Sequence, residues 1–405
     1  MEIKTSQNQL VFAFLKGVSV SGIISVALLS KSGMATPKPS ETEFLLTISN
    51  HQPTELKKPG FLPQTLITQN SNNSEADKLL QEGTELLQQG TAESLRAALG
   101  KLEAARQLYH AAGDKGKKAL TLLGMGRIND DLGEKQQALD YYNQALPLSR
   151  VVGDREGEAA TLFNFAYLKR NQGNLSEALT DIETAITIVE DLRTKIGSQE
   201  LRQSFFATVQ NYYQFYIDLL MQLHQQNPQK GYDALAFHAS ERSRARSLVE
   251  LLTEAGANIR QGADPKLLEQ EQNLQQQLNT VENQRYQLTQ GNYTQQQLDE
   301  IKQQSQSLLN QLDKLEAKIR LTSPRYANLK YPQPLTLQQI QEKVLDDDTL
   351  LLEYSLGEER SYLWAVTKNS ITSYVLPKQS EIEEIAQPWR EMNETALRRK
   401  RTPPQ

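Results

Sequence analysis

Few residues in this chain have the type and spacing that chemistry demands. Cysteine is absent from all 405 residues. Disulfides, thiolate zinc sites, thiol redox chemistry and a cysteine nucleophile are therefore excluded from this chain. The four histidines, His51, His110, His224 and His238, are too far apart for a local metal motif such as H-E-x-x-H. Asp346-Asp347-Asp348 lacks the glycine and the further carboxylates of a calcium loop, and reads as a solvated turn. Glu241-Arg242-Ser243-Arg244-Ala245-Arg246 sets three arginines at alternate positions. With 49 acidic against 44 basic residues and a net charge of −5, that run is no phosphate footprint. It reads as a solvated face partnered by Glu241, Glu250 and Glu254. No glycine-rich phosphate loop occurs. No cofactor, no metal and no catalytic residue is expected, nucleic acid is an unsuitable partner, and function is left to binding.

The elements that would position a binding surface announce themselves by repetition. Leu122, Gly126, Gly133, Ala138, Leu139 and Ala145 recur forty residues later as Leu162, Ala166, Gly173, Ala178, Leu179 and Ala185. Gly113-Asp114 recurs as Gly153-Asp154 at the same interval, and a degraded copy lies at about 76–114. Such a period marks a solenoid of helical pairs. Within one unit, Leu122 and Gly126 share a face of a first helix, and Gly133 suits its left-handed cap. Ala138, Tyr142 and Ala145 share a face of the second helix. The small residue at 126 or 166 admits that second helix closely.

These residues resemble the tetratricopeptide (TPR) family, in which the first helices line a concave groove for peptides or partner helices. The departures are Asn129 where the family carries an aromatic residue, and a period of forty rather than thirty-four. The resemblance implies a partner-binding surface at Leu123, Arg127, Asp130 and Asp131, then Phe163, Tyr167, Arg170 and Asn171. Arg127 and Arg170 would meet a partner's carboxylate, and Phe163 and Tyr167 would supply apolar contact. The competing reading makes both aromatics core and pairs both arginines with local acids.

The rest of the chain divides by composition. Residues 1–35 carry Lys4, the apolar run Gly17–Leu29 and the triplet Gly33-Met34-Ala35, which together predict an export signal cut after Ala35. The alternative is a membrane anchor over 10–29. Either sends the body across a membrane. Residues 36–73, with five prolines, read as a flexible linker. The repeats fill 74–200 and a helical connector 201–260, with a capping helix near 201–222. A leucine/isoleucine heptad stripe over 261–325, interrupted at Gly291-Asn292-Tyr293, predicts a coiled-coil helical hairpin with arms of about 35–40 Å. From 331 to 390 the period changes. A short helix at Leu337–Val344 precedes strands at Leu350–Leu356, Ser361–Thr367 and Ile371–Leu376, a three-strand meander. Residues 391–405 form a basic tail with Arg398-Arg399-Lys400-Arg401.

Repeats, then the Glu-Arg-Ser-Arg-Ala-Arg helix, then a hairpin, then "LLLEYSLGEERSYLWAVT" resemble the CHAT family of TPR-bearing, caspase-like proteins frequent in cyanobacteria. In that family a His and a Cys beyond the opening strands form the peptidase site. No residue here matches that dyad, so the resemblance implies the N-terminal portion of such a protein without its peptidase part.

The expected fold is mainly α: a TPR-like solenoid, a long antiparallel hairpin and a short, truncated β-meander. The expected function is an exported, non-catalytic scaffold that takes an unidentified protein or peptide in its groove. Self-association through the hairpin or a strand edge is also expected. The alternative is the first half of a split CHAT peptidase completed by another chain.

Overall fold

The computed structural model describes residues 26–30, 74–195, 199–254, 262–289, 293–330 and 334–387. The linker at 36–73, the basic tail at 391–405 and all of the export segment save 26–30 lie outside the described residues. Two compact units emerge. One comprises Lys58–Leu219 and Leu252–Pro332; the other comprises Met1–Lys57, Leu220–Leu251 and Gln333–Gln405. The division falls inside the segment read as a connector over 201–260.

The first unit is a solenoid built of helical pairs: α1 (Ser74–Gln89) with α2 (Ala92–Ala111), α3 (Lys115–Asp131) with α4 (Lys135–Val152), and α5 (Arg155–Asn171) with α6 (Leu175–Lys195). The copy that looked degraded in sequence is a complete pair. Its termini explain the period. Asp114 and Asp154, forty apart, each accept a backbone hydrogen bond from the third residue of the helix they open, at 2.8 and 2.9 Å. Gly133 and Gly173 close the first helices at φ +82° and +83°, in the left-handed region that an L side chain avoids.

Packing within each pair sets a large side chain against a small one. A Cβ on Gly126 would stand 2.3 Å from the Tyr142 ring, and one on Gly83 would stand 2.7 Å from Leu102. In the third pair the corresponding residues are Ala166 and Ile182, both fully buried. Two apolar clusters follow the array, one around Leu95, Leu102 and Met125, the next around Leu122, Tyr142 and Phe165. Such stacking cannot close on itself, so each pair is completed by its neighbours.

Helix α7 (Gln199–Gln226) follows, then a single 3₁₀ turn at Pro228–Lys230 and α8 (Tyr232–Glu254). The expected hairpin is present as α9 (Pro265–Thr289) and α10 (Gln295–Thr322). Thr294 opens α10 with a reciprocal capping box to Gln297. Leu267, Leu278, Leu298, Leu308, Leu315 and Ile319 are buried along the predicted stripe. At the open end of the hairpin, α11 (Pro324–Lys330) folds back. The Tyr326 hydroxyl donates to the buried Glu271 carboxylate at 2.6 Å, and Lys330 pairs with the same carboxylate at 2.8 Å.

The second unit joins α8 to a small antiparallel sheet of order β1-β2-β3-β4: β1 (Val26–Ser30), β2 (Thr349–Ser355), β3 (Ser361–Thr367) and β4 (Ser370–Leu376). A short helix α12 (Leu337–Lys343) precedes β2. The meander matches the sequence reading, with one strand added. Val26–Ser30, from the apolar stretch of the predicted export segment, pairs with Thr349–Glu353 of β2. Leu351, Glu353, Val366 and Trp364 share one face, because Leu351 opposes Val366 and Glu353 opposes Trp364. Phe237 of α8 meets Trp364 edge-on, with centroids 6.2 Å apart. That face of the sheet is covered at Trp364 and Val366, both 0% exposed. Tyr374 and Val375 on β4 remain about half exposed.

Candidate partner-binding surface

The surface read from the sequence lies on α3 and α5, the first helices of two successive pairs. Both are buried along most of their length, since each is flanked by a neighbouring pair as well as by its own second helix. This decides the placement of the apolar candidates. Leu123, 1% exposed, belongs to the cluster around Tyr142. Phe163, also 1% exposed, stacks on Tyr212 of α7 with ring centroids 4.4 Å apart and meets Phe215 edge-on at 5.3 Å. Both are core, a correction to the reading that gave them to a partner. The covering helix is α7, whose aromatic face continues the series of first helices. The Phe205-to-Leu223 periodicity signalled that helix but not the neighbour it would cover.

The polar candidates lie at the C-terminal ends of α3 and α5. The Arg127 Nε donates to Asp131 Oδ2 at 3.0 Å, one helical turn along. Its Nη1 is buried without a hydrogen-bond partner, as is the hydroxyl of Tyr142 below it. Asp130 is half buried. Burial, and secondarily Asp131 beside it, raise its carboxyl above the ordinary aspartate value. Burial likewise pushes the Tyr142 phenol far up, so that it stays protonated at any physiological pH.

At the end of α5, Arg170 is held from two sides. Its Nη1 donates to Asp218 of α7 at 3.1 Å. Its guanidinium carbon lies 5.1 Å from the Tyr167 ring centroid and 4.7 Å from that of Phe215. A planar cation between aromatic rings and a carboxylate is a fixed arrangement, unlike a mobile lysine. Neighbouring Lys169 pairs with Asp181 at 2.8 Å and Glu177 at 3.4 Å. Burial opposes its charge, but these carboxylates outweigh that and raise its value. Asn171 is exposed, and Asp131 lies open at the end of α3. The two arginines thus pair with local acids, and the exposed polar surface here is that of Asp131 and Asn171, with Asp130 half exposed.

A second surface of the repeats is already occupied. The Arg285 Nη1 of α9 donates to the Val152 carbonyl and the Lys302 Nζ of α10 to the Val151 carbonyl, both at 2.7 Å. These are carbonyls of the last turn of α4, where the helix leaves acceptors unpaired and its dipole favours cations. Lys115, at the start of α3, lies 5.4 Å over the Tyr293 ring beside the hairpin turn. The hairpin therefore lies against the inter-repeat turns at 113–115 and 151–153. Sequence periodicity showed the hairpin but not where it rests.

Among the described residues no group of histidines and acids could hold a metal ion, and no helix is long and apolar enough to cross a membrane. No protein-family model and no curated protein matches the sequence. Among solved structures, a tetratricopeptide repeat protein from Parabacteroides merdae ATCC 43184 is similar, with 17% identity and a TM-score of 0.25. The match covers 64% of this chain and 99% of that one.

Proposed function

We propose that this chain is a non-catalytic scaffold, exported across the cytoplasmic membrane, that binds a protein partner along the C-terminal ends of α3 and α5. The observation that carries the reading is the regular array itself. It brings Asp130, Asp131 and Asn171 to equivalent ends of successive helices, on elements that cannot shift independently. The acidic end of α3 suits a basic segment of the partner, and the Arg170–Asp218 pair fixes the edge of the surface. Export rests on the pattern over 1–35 and is tested by the N-terminus of the accumulated protein, expected at Thr36.

A photo-crosslinking residue placed at Asn171 in the full chain tests the surface. An adduct is expected from position 171 and from 131, and none from exposed Thr180 on α6. Equal adducts at all three positions, or none at 131 and 171, would remove this surface.

A second reading, that another chain supplies a CHAT peptidase half, draws on the half-exposed Tyr374 and Val375 of β4, which a further element would cover. It requires a neighbouring reading frame that encodes further strands with a His and a Cys. Unrelated or non-coding DNA there rejects it.

A further inference from the structure

Glu353 has no part in the surface described above, yet it occupies an exceptional position. It sits in an apolar strand, on the face that α8 covers, and is 0% exposed. Neither of its carboxylate oxygens has a hydrogen-bond donor. The Ser240 hydroxyl and the Trp364 indole N–H, buried nearby, are also unpartnered. From α8 the charged groups that face it are Glu241 and Arg244, and those two pair with each other. From β3 its neighbour is Trp364, and from β1 it is Val26.

The seam thus holds two acids and one cation that is already engaged. An ionised Glu353 would be a buried charge without compensation, which a protein avoids by keeping the group neutral. Burial first, and Glu241 second, hold its carboxyl well above the usual glutamate range, against the smaller opposing effects of Arg244 and Ser240. Two ionised carboxylates have no donor between them, whereas one proton supplies it.

We propose that Glu353 is a proton-operated latch between α8 and the sheet. In the closed state its O–H donates to the Glu241 carboxylate, and Arg244 neutralises that carboxylate from the other side. When the Glu353 proton passes to solvent, the two carboxylates repel and the seam loosens. The sign follows from linkage: a carboxyl raised in the folded state favours that state at low pH, and the advantage fades as pH climbs toward the folded value.

Trp364 reports the event, because it opposes Glu353 in the sheet. In the full chain carrying Trp389→Phe it is the only tryptophan. Between pH 5 and 9.5 its emission is expected to shift to the red, and its quenching by acrylamide to rise several-fold, in one single-proton step. Glu353→Gln is expected to abolish the step. Glu241→Gln, which leaves Arg244 to compensate Glu353, is expected to move the midpoint to lower pH. If Glu353→Gln fails to fold, the Glu241→Gln midpoint decides alone. No step in the parent, the same step in Glu353→Gln, or an unmoved midpoint in Glu241→Gln overturns the latch.

Discussion

Gly126→Ala is the smallest change that tests how the repeats are held. The new methyl would stand 2.3 and 2.5 Å from two Tyr142 ring carbons, over 1 Å inside ordinary carbon–carbon contact at about 3.5–4.0 Å. Tyr142 has little room to yield. It is fully buried and packs edge-on against Phe165, with centroids 5.5 Å apart. Overpacking of this kind costs up to about 3 kcal/mol. Alanine in place of glycine inside a helix returns about 1 kcal/mol. The net loss is about 2 kcal/mol, or a Tm lowered by about 4–8 °C. The next repeat supplies the remedy, since Ala166 there faces Ile182. Tyr142→Ile alone leaves a void and costs about 2–3 kcal/mol. In the double variant the methyl occupies that void, so the two losses fall short of additivity by about 1–2 kcal/mol. Urea unfolding followed by circular dichroism measures all four proteins. A single Gly126→Ala variant as stable as the parent, or strictly additive losses, would refute the large-into-small account of the array.

Arg285→Ala with Lys302→Ala removes both cations from the end of α4. It is expected to speed hydrogen exchange in α9 and α10 at least tenfold while leaving α5 and α6 protected; unchanged exchange in the hairpin would refute the docking. Glu271→Ala leaves Tyr326 and Lys330 without their shared acceptor at the hairpin base. A loss of about 1–3 kcal/mol in thermal unfolding is expected, since a buried tyrosine hydroxyl and a partly buried cation lose the acceptor they share, and a change below about 0.5 kcal/mol would show that this acceptor contributes little.

Local pattern carried much of the fold into view. The helix end at Gly133 was legible because its chemistry is local, and Gly173 followed from it by the forty-residue period. Asp114 and Asp154 showed only as repeated Gly-Asp pairs, and the structure makes them the caps of the helices that follow. The strand Ser361–Thr367 was legible for the same reason, as an apolar run between turn residues. Contacts between distant segments were not. Phe163 has the composition of a groove residue, and only the path of α7 makes it core. Arg285 and Lys302 look like ordinary surface cations on a glutamine-rich helix until the carbonyls of Val151 and Val152 come within reach. Glu353 reads as one acid in an apolar strand, and its meaning comes from Glu241, more than a hundred residues earlier. Val26–Ser30 was read as part of an export segment, because an apolar run suits either a leader or a strand. Its pairing with Thr349–Glu353 joins segments more than three hundred residues apart, which no local pattern reveals.

The hairpin resting on two successive inter-repeat turns has a mechanical consequence. A bare stack of helical pairs deforms like a spring, because each pair touches only its neighbours and small rotations accumulate. Here α9 and α10 bridge the turn at 113–115 and the turn at 151–153, so those pairs are coupled through a second path. A pull along the stack must then either detach Lys115 from Tyr293 and free the carbonyls of Val151 and Val152, or bend the hairpin itself. The braced segment, α2 to α5, behaves as a strut. Compliance is left to the segments on either side of the brace.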